Sequence, residues 1–280
     1  MLRKPISPRP VSLWAGADGE RVSLYNGEAP IGNGKTERAD AFLTVFQPNS
    51  TVPDGNGTAI IIFPGGAYRP MSHEWAKGAE GAAIARHLAT IGITGVVLGY
   101  RLPHGRPHIP LMDALQAVAT VRRNARRGIW PRLHPRRVGL MGFSAGGHLA
   151  ALTATRFTSV TERADFVMLI YPVITMRLPL THDVTRREML GRHPSPALVD
   201  QFSAERHVSH RTPPSFLSHA LDDPLVPPAN SMLFYNACTA HRLRCEYLPL
   251  PTGGHPFVLK PEAWGACRSA ALRWLGSLGL

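Results

Sequence analysis

Residues 137–155 read RVGLMGFSAGGHLAALTAT, and this stretch decides the fold. Its first five letters are typical of a buried strand, and the alanine-rich letters after Ser144 are typical of a helix. Between them, residues 142–146 (GFSAG) match G-x-S-x-G, a pattern in which a serine occupies a tight turn from strand to helix. Small residues on both sides of the serine avoid clashes, and the turn exposes its hydroxyl at a helix N-terminus. The stretch therefore predicts that Ser144 is a nucleophile.

The rest of the chain alternates short apolar runs with amphipathic runs, which is typical of a mostly parallel sheet with helices on both faces. Strands are predicted at 41–47, 58–63, 94–98, 137–141, 166–171, 215–220 and 244–249. Helices are predicted at 75–91, 110–127, 145–155, 229–241 and 261–275. Between 172 and 214 the pattern loosens to two short helical pieces, near 186–190 and 196–202, and we expect a small lid or insertion there.

The length of 280 residues suits a single α/β domain. We expect one domain over residues 1–280, in which residues 1–40, rich in glycine, proline and charge, form an N-terminal surface arm. No apolar run approaches the roughly 18 residues of a membrane helix. The first 14 residues lack the apolar core of a signal peptide. The three cysteines of the chain form neither a disulfide framework nor the spacing of a metal site. We expect a cytoplasmic protein, the alternative being a secreted one whose signal peptide is absent from this sequence.

The chain carries a net charge of +12, and seven arginines between 122 and 137 concentrate that charge. Such a run is typical either of a nucleic-acid surface or of a solvated helix face and loop. Only Trp130 adds an aromatic ring to the run, and no nucleic-acid-binding motif is present. We therefore expect a solvated face and no nucleic-acid partner. A hydrophobic fraction of 44% also excludes a disordered chain.

A serine hydroxyl needs a base to attack a carbonyl, and the chain supplies an acid and a base in the order Ser, Asp, His. Asp223 and His255 each follow a predicted strand, at the edge where parallel sheets gather their sites. Asp222 is the alternative acid, but Asp223 has the spacing D-x-x-V-P, and we expect Asp222 to stabilise a turn. His148, on the same predicted helix as Ser144, is expected to pack in the structure instead of acting as the base.

Residues 63–68 read FPGGAY and come directly after a predicted strand. The two glycines let the backbone turn so that amide N–H groups point into the site. We expect the N–H groups of Gly66 and Ala67 to build one side of an oxyanion hole, and the N–H of Ala145 to build the other.

Two aromatic residues, Tyr68 and Trp75, are candidates for the substrate pocket, with ordinary packing as the alternative. His104 and His108 have no Asp, Glu or Cys at ligand spacing, so no metal site is predicted. The chain has no P-loop, dinucleotide fingerprint or C-x-x-C motif. Because the chemistry of a serine nucleophile needs no cofactor, none is expected.

Together these segments resemble serine esterases of the α/β-hydrolase superfamily, in particular the bacterial acetylxylan esterases and feruloyl-esterase-like (BD-FAE-like) hydrolases. The matching segments are FPGGAY (63–68), GYRLP (99–103), LMDALQAV (111–118), GFSAGGHLAA (142–151), YPVIT (171–175), TPPSFLSHALDDPLVP (212–227) and GGHPF (253–257). The chain departs from the lipase sequence H-G-G-G at Pro64 and Ala67. The resemblance implies an α/β-hydrolase fold with a small lid and a catalytic triad of Ser144, Asp223 and His255.

The activity expected from this resemblance is the hydrolysis of short acyl esters, with acetyl on a sugar or oligosaccharide as the preferred substrate. The alternative is a promiscuous carboxylesterase of small aryl or alkyl esters. A catalytically inactive binding protein on the same fold is the third hypothesis, and the intact triad and oxyanion hole argue against it. The expected partner is thus a small-molecule ester or an acetylated carbohydrate. Because the lid segment is charged and has no long apolar helix, we expect a small acyl pocket.

Overall fold

The computed structural model of the protein describes residues 19–25, 27–32, 34–38, 40–49, 52 and 55–280. Its strands are β1 (Glu20–Ser23), β2 (Glu28–Gly32), β3 (Lys35–Arg38), β4 (Phe42–Phe46), β5 (Ala59–Phe63), β6 (Thr94–Gly99), β7 (Val138–Phe143), β8 (Phe166–Ile170), β9 (Ser215–Ala220) and β10 (Cys245–Leu250). Its helices are α1 (Met71–Lys77), α2 (Ala82–Thr90), α3 (His108–Arg126), α4 (Ser144–Thr155), α5 (Asp183–Leu190), α6 (Pro196–Gln201), α7 (Ala229–Ala240) and α8 (Pro261–Ser277). Short 3₁₀ helices lie at Ala204–His207 and Phe257–Leu259.

Eight of these strands form one sheet in the order β1-β4-β6-β5-β7-β8-β9-β10. The six consecutive strands β6-β5-β7-β8-β9-β10 are parallel to one another. Strand β4 lies between β6 and β1 and is antiparallel to both. Strands β5 to β9 are buried along their whole length, which explains the continuous apolar runs of β5, β7 and β8. The prediction of a mostly parallel central sheet is therefore confirmed.

Helices cover both faces of this sheet, and alternate residues of β5 show the two layers. Ile61 packs in one core, which includes α3, α4 and α7. Its neighbours Ile60 and Ile62 pack in the other core, which includes α2 and α8. Because successive side chains of a strand point to opposite faces, a single strand of consecutive isoleucines supports both layers. Because helices cover both faces, the carboxyl ends of the parallel strands form the accessible edge of the sheet. The candidate active site lies at this edge.

One predicted helix is two helices in the structure. The spacing of apolar residues predicts a single helix over 75–91, but α1 ends at Lys77 and α2 begins at Ala82. The chain turns sharply between them because Gly78 and Gly81 permit it. A Cβ on Gly81 would collide with the carbonyl oxygen of Ala76. The break turns the side chain of Glu80 into the interior, where 2% of the residue is exposed.

The segments that we predicted as an arm and a lid have structure of their own. In residues 19–38, β1 pairs with β4 at the edge of the sheet, and β2 pairs with β3 as a separate hairpin. Residues 1–18 of the predicted arm lie outside the described residues. The predicted lid, residues 172–214, contains α5, α6 and a 3₁₀ helix. The division into one domain with these two appendages stays a prediction.

The arginine-rich stretch is in part a set of anchors and not only a solvated face, which corrects our expectation. Arg122 is buried, bonds the carbonyl oxygens of Pro135 and Arg163, and pairs with Asp165 at 3.1 Å. Two further arginines also bond loop carbonyls: Arg132 bonds those of Pro48, Asn49 and Val52, and Arg137 bonds that of Asn56. Arginine suits this role because its guanidinium group offers five hydrogen-bond donors at the end of a long apolar stem.

In the part of the chain that the structure describes, no helix has the length and apolarity to cross a membrane.

Candidate active site

Ser144 occupies the turn between β7 and α4 in a conformation that side chains rarely adopt. Its φ is +51°, in the left-handed region, while the preceding residue is extended. The two glycines of the G-x-S-x-G pattern are needed for this turn. A Cβ on Gly146 would collide with the carbonyl oxygens of Phe63 and Pro64, and one on Gly142 would collide with the carbonyl of Gly146. The elbow predicted from the sequence is therefore present, and it is packed tightly against the end of β5.

The structure brings Ser144, His255 and Asp223 into one hydrogen-bonded chain. The Nε2 atom of His255 lies 2.9 Å from the Ser144 hydroxyl oxygen, and its Nδ1 atom lies 2.7 Å from Oδ2 of Asp223. Since a carboxylate only accepts, Nδ1 carries the proton, and Nε2 is free to accept the hydrogen of the serine. Asp223 follows β9 and His255 follows β10, and because these strands are parallel neighbours their loops meet at the same edge.

Asp223 is held by four donors. Its Oδ1 accepts from the backbone N–H groups of Leu225 and Val226, both at 2.9 Å, and its Oδ2 accepts from His219 at 3.1 Å and from His255. Burial by itself raises the pKa of this carboxyl. The hydrogen bonds from the two histidines and from the Val226 N–H, together with the charge of His255, outweigh burial and hold the pKa of Asp223 well below its ordinary value. The group is therefore ionised and oriented.

His219 is a contributor that the sequence reasoning missed. It lies on β9, is fully buried, and its Nε2 atom faces two acceptors, Oδ2 of Asp223 and the carbonyl of Val226 at 3.0 Å. Nε2 therefore carries a proton and donates. On the other side of the ring, Nδ1 lies 2.8 Å from the hydroxyl of Ser231 on α7. The available signal was a histidine within a predicted strand, four residues before the acid.

The backbone that we expect to form an oxyanion hole is also strained. Gly66, Ala67 and Tyr68 have φ values of +103°, +54° and +59°. The N–H groups of Gly66 and Ala67 donate to none of the residues that the structure describes. The N–H of Ala145 lies in the first turn of α4, where a helix has no carbonyl to offer it. These three N–H groups are thus available for a developing negative charge, and their role in an oxyanion hole stays a prediction.

Tyr68 does not line a pocket, which corrects one of our two pocket candidates. It is 1% exposed, and its hydroxyl lies 2.9 Å from Nδ1 of His148. The Nε2 atom of His148 bonds the carbonyl of Phe202 at 2.7 Å, so His148 packs in the core as expected. Burial lowers the pKa of His148 to about 4. Trp75 is half-buried on α1, and its place in a pocket stays a prediction.

The lid reaches the site through charged and polar residues. Arg69, next to the strained backbone, forms an ion pair with Glu188 of α5 at 3.2 Å. His182, at the start of α5, bonds the hydroxyl of Thr185 at 2.9 Å. Burial lowers the pKa of His182, and the charge of a protonated His255 would lower it further. Among the described residues, no three His, Cys, Asp or Glu side chains are arranged to hold a metal ion.

The order of the strands and the turn that carries Ser144 make this protein an α/β-hydrolase. A model of the BD-FAE family matches residues 43–238, more than two thirds of the chain. The chain belongs to the BD-FAE family. Ser144 and Asp223 lie within the matched region, and His255 lies beyond its end.

Three relatives show how far the likeness extends. An acetylxylan esterase of Xylanibacter ruminicola is 37% identical over 206 residues, which are 72% of this chain and 41% of that protein, so the chain spans less than half of it. The crystal structure of an acetyl ester-xyloside bifunctional hydrolase from Caldicellulosiruptor lactoaceticus is 31% identical, with a TM-score of 0.80, over 94% of this chain and 97% of that one. A thermophilic esterase from Thermogutta terrifontis, at 22% identity and a TM-score of 0.71 over 96% of this chain and 97% of that one, shares the fold.

Proposed function

We propose that the protein is a serine esterase that removes short acyl groups, acetyl above all, from sugars or oligosaccharides. The observation that carries the proposal is the chain of hydrogen bonds from Ser144 through His255 to Asp223. The names of two relatives, an acetylxylan esterase and an acetyl ester-xyloside hydrolase, support acetyl esters of sugars as the substrate class.

The geometry supports a two-step reaction. His255 Nε2 takes the proton of the Ser144 hydroxyl as the serine oxygen attacks the ester carbonyl. Asp223 stabilises the protonated ring, and the N–H groups of Gly66, Ala67 and Ala145 hold the oxyanion. The carbon–oxygen bond to the alcohol breaks, and His255 gives its proton to the leaving oxygen. Water then attacks the acyl-serine with His255 again as the base. The acid is released and the Ser144 hydroxyl regains its proton.

The character of the lid supports a sugar and not a lipid. Over the described lid residues, 172–214, Leu178 is the one large apolar side chain that is strongly exposed, at 63%. A lipid surface needs an apolar patch of several hundred Å². The side chains that connect the lid to the site, Arg69, Glu188 and His182, instead offer hydrogen bonds that suit hydroxyl groups.

The experiment compares acetylated xylan, acetylated monosaccharides and p-nitrophenyl acetate as substrates, beside labelling by an organophosphonate. We expect turnover of all three and stoichiometric labelling of Ser144. The matched control is Ser144→Ala, which should lose nearly all turnover and all labelling, a fall of up to about a million-fold. Turnover of the aryl ester without any release of acetate from the sugars would contradict the sugar substrate. Absence of labelling would contradict the esterase altogether and favour a binding protein.

A further inference from the structure

The proposed mechanism leaves one buried carboxyl group at the site unused. Glu80 lies at the break between α1 and α2 and is 2% exposed. Its Oε2 atom accepts a hydrogen bond from the backbone N–H of Gly65 at 2.6 Å. Its Oε1 atom accepts one from the hydroxyl of Tyr171 at 2.9 Å. Both carboxyl oxygens therefore have a partner, and the two partners belong to different strand ends, β5 and β8.

The first partner fixes the backbone beside the nucleophile. A Cβ on Gly65 would lie 2.7 Å from Oε2 of Glu80 and 3.0 Å from both the Cβ of Ser144 and the carbonyl oxygen of Phe143. Gly65 is thus enclosed between Glu80 and the serine turn. Glu80 takes the N–H of Gly65, whereas the N–H groups of Gly66 and Ala67 have no acceptor among the described residues. The orientation of these two groups depends on where Gly65 is held.

The second partner supports the candidate base. Tyr171 is fully buried directly after β8. Its ring contacts the imidazole of His255 edge to face, with the centroids 4.9 Å apart, and contacts the ring of Phe257 at 4.6 Å. The hydrogen bond from the Tyr171 hydroxyl to Glu80 fixes the position of this ring. The loop that carries His255 therefore packs against Tyr171, whose hydroxyl is hydrogen-bonded to Glu80.

We propose that Glu80 is a positioning residue, which aligns the oxyanion-hole N–H groups through Gly65 and the base through Tyr171. The inference rests on the proposed function, since it concerns the same reaction. One carboxyl group joins the two sides of the site that must act together, the side where negative charge develops and the side where the proton moves. The charge balance agrees with this placement. Burial raises the pKa of Glu80, and the bonds from Gly65 and Tyr171 and the charge of His255 oppose that rise.

A positioning role has a kinetic signature that a general effect on packing lacks. Aligned N–H groups act on the transition state, so their misplacement lowers kcat and leaves KM nearly unchanged. A misplacement of about 1 Å at a catalytic group costs about a hundredfold in rate. In Glu80→Gln the amide oxygen faces the N–H of Gly65, which can only donate, and the NH₂ group faces the hydroxyl of Tyr171, so the variant loses the acceptor for Tyr171. We therefore expect a loss of about ten- to a hundredfold in kcat.

The test is a double-mutant cycle of Glu80→Gln and Tyr171→Phe, measured as kcat and KM on p-nitrophenyl acetate, with melting temperatures for every variant. The matched control is Glu205→Gln. Glu205 lies in the 3₁₀ helix Ala204–His207, and burial raises its pKa as it does that of Glu80, while Thr175 opposes that rise. We expect the control to keep kcat within about twofold, since it alters no group of the site. Tyr171→Phe should lower kcat about tenfold, and the double variant should be no slower than Glu80→Gln, because both changes break the same hydrogen bond between residues 80 and 171.

Unchanged kcat in Glu80→Gln, a rise in KM alone, or single losses that multiply in the double variant would each overturn the inference. If Glu80→Gln does not fold, Tyr171→Phe decides: a lower kcat at unchanged KM supports the inference, and unchanged kcat overturns it. An unaltered protein that neither turns over esters nor reacts with the phosphonate would overturn the proposed function and this inference together. An active unaltered enzyme with an equally active Glu80→Gln would overturn this inference alone.

Discussion

Asp222 and Asp223 are neighbours in the chain, but their carboxylates hold two different parts of the same loop. Asp222 is exposed and accepts the backbone N–H of Gly254 at 2.8 Å, whereas Asp223 is buried and accepts the ring N–H of His255 at 2.7 Å. One acid therefore shapes the turn before the histidine, and the other orients the histidine itself. These contacts suit a turn-stabilising Asp222 and a catalytic Asp223, and the catalytic role stays a prediction.

The first prediction separates these roles. Asp223→Asn should lower kcat by about ten-thousandfold, because an amide offers His255 the wrong partner and the ring loses its orientation. Asp222→Asn keeps an oxygen for the Gly254 N–H and should stay within about tenfold of the unaltered enzyme. The measurement is kcat on p-nitrophenyl acetate for both variants. The opposite order of losses would show that Asp222 is the catalytic acid.

The second prediction concerns the histidine behind the acid. His219→Leu removes one of the donors to Asp223 and leaves the carbonyl of Val226 unpaired, so we expect kcat to fall about tenfold and the melting temperature to fall as well. Ser231→Ala removes only the hydroxyl that faces the far nitrogen of that ring, and its losses should be smaller. The two variants are compared by kcat and by thermal unfolding. Equal activity of His219→Leu and the unaltered enzyme would exclude a contribution of His219 to the site.

The third prediction concerns the acyl chain. On a series of p-nitrophenyl esters, the rate should be highest from acetyl to butyryl and fall steeply by octanoyl, since the lid presents charged residues and a single exposed leucine. For the same reason the rate should rise smoothly through the micelle concentration of the substrate, without a jump. A maximum at a decanoyl or longer ester would contradict the small acyl pocket.

The fourth prediction concerns stability against pH. The pKa of His148 is lowered to about 4 by burial, with a smaller effect from the charge of Arg156 and an opposing bond to Phe202. As the pH falls from about 6.5 to about 4, the unfolded chain binds a proton at His148 and the folded protein does not, so the free energy of unfolding decreases. The loss is on the order of 3 kcal/mol and is complete below pH 4.

The measurement is urea unfolding across this pH range for the unaltered protein and for His148→Gln, which does not titrate. The variant should show a shallower fall in stability. Parallel curves for His148→Gln and the unaltered protein would show that His148 binds its proton equally in both states.

The sequence predicted the parts of the fold that depend on neighbours along the chain. The apolar strands, the helices between them and the turn at Ser144 each carry their own signal over a few residues. Asp223 and His255 were identifiable because each follows a strand whose end lies at a known edge of a parallel sheet. The structure brings these three side chains together, while their catalytic roles stay a prediction.

The features that the sequence did not predict depend on contacts between distant residues. The alanines on both sides of residues 78–81 continue one helical pattern, but the helix breaks at Gly78 and Gly81, and Glu80 there bonds Gly65, fifteen residues earlier. The local sequence makes Tyr68 a candidate for the pocket, but its hydroxyl bonds His148, which lies eighty residues later in the chain. His219 has no local motif, and its role is visible only once β9 and α7 are packed.

The position of β10 has a consequence for how the proposed esterase activity is lost on heating. This strand is the last of the sheet, contains Pro249 and is half-exposed, while its neighbour β9 is buried throughout. The loop with His255 is therefore attached to one of the least protected strands of the sheet, whereas Ser144 is attached to the centre. Regions with few buried contacts open at lower cost than the whole molecule. Heating should thus inactivate the enzyme reversibly below the temperature at which its circular dichroism changes, and phosphonate labelling of Ser144 should fade with the activity.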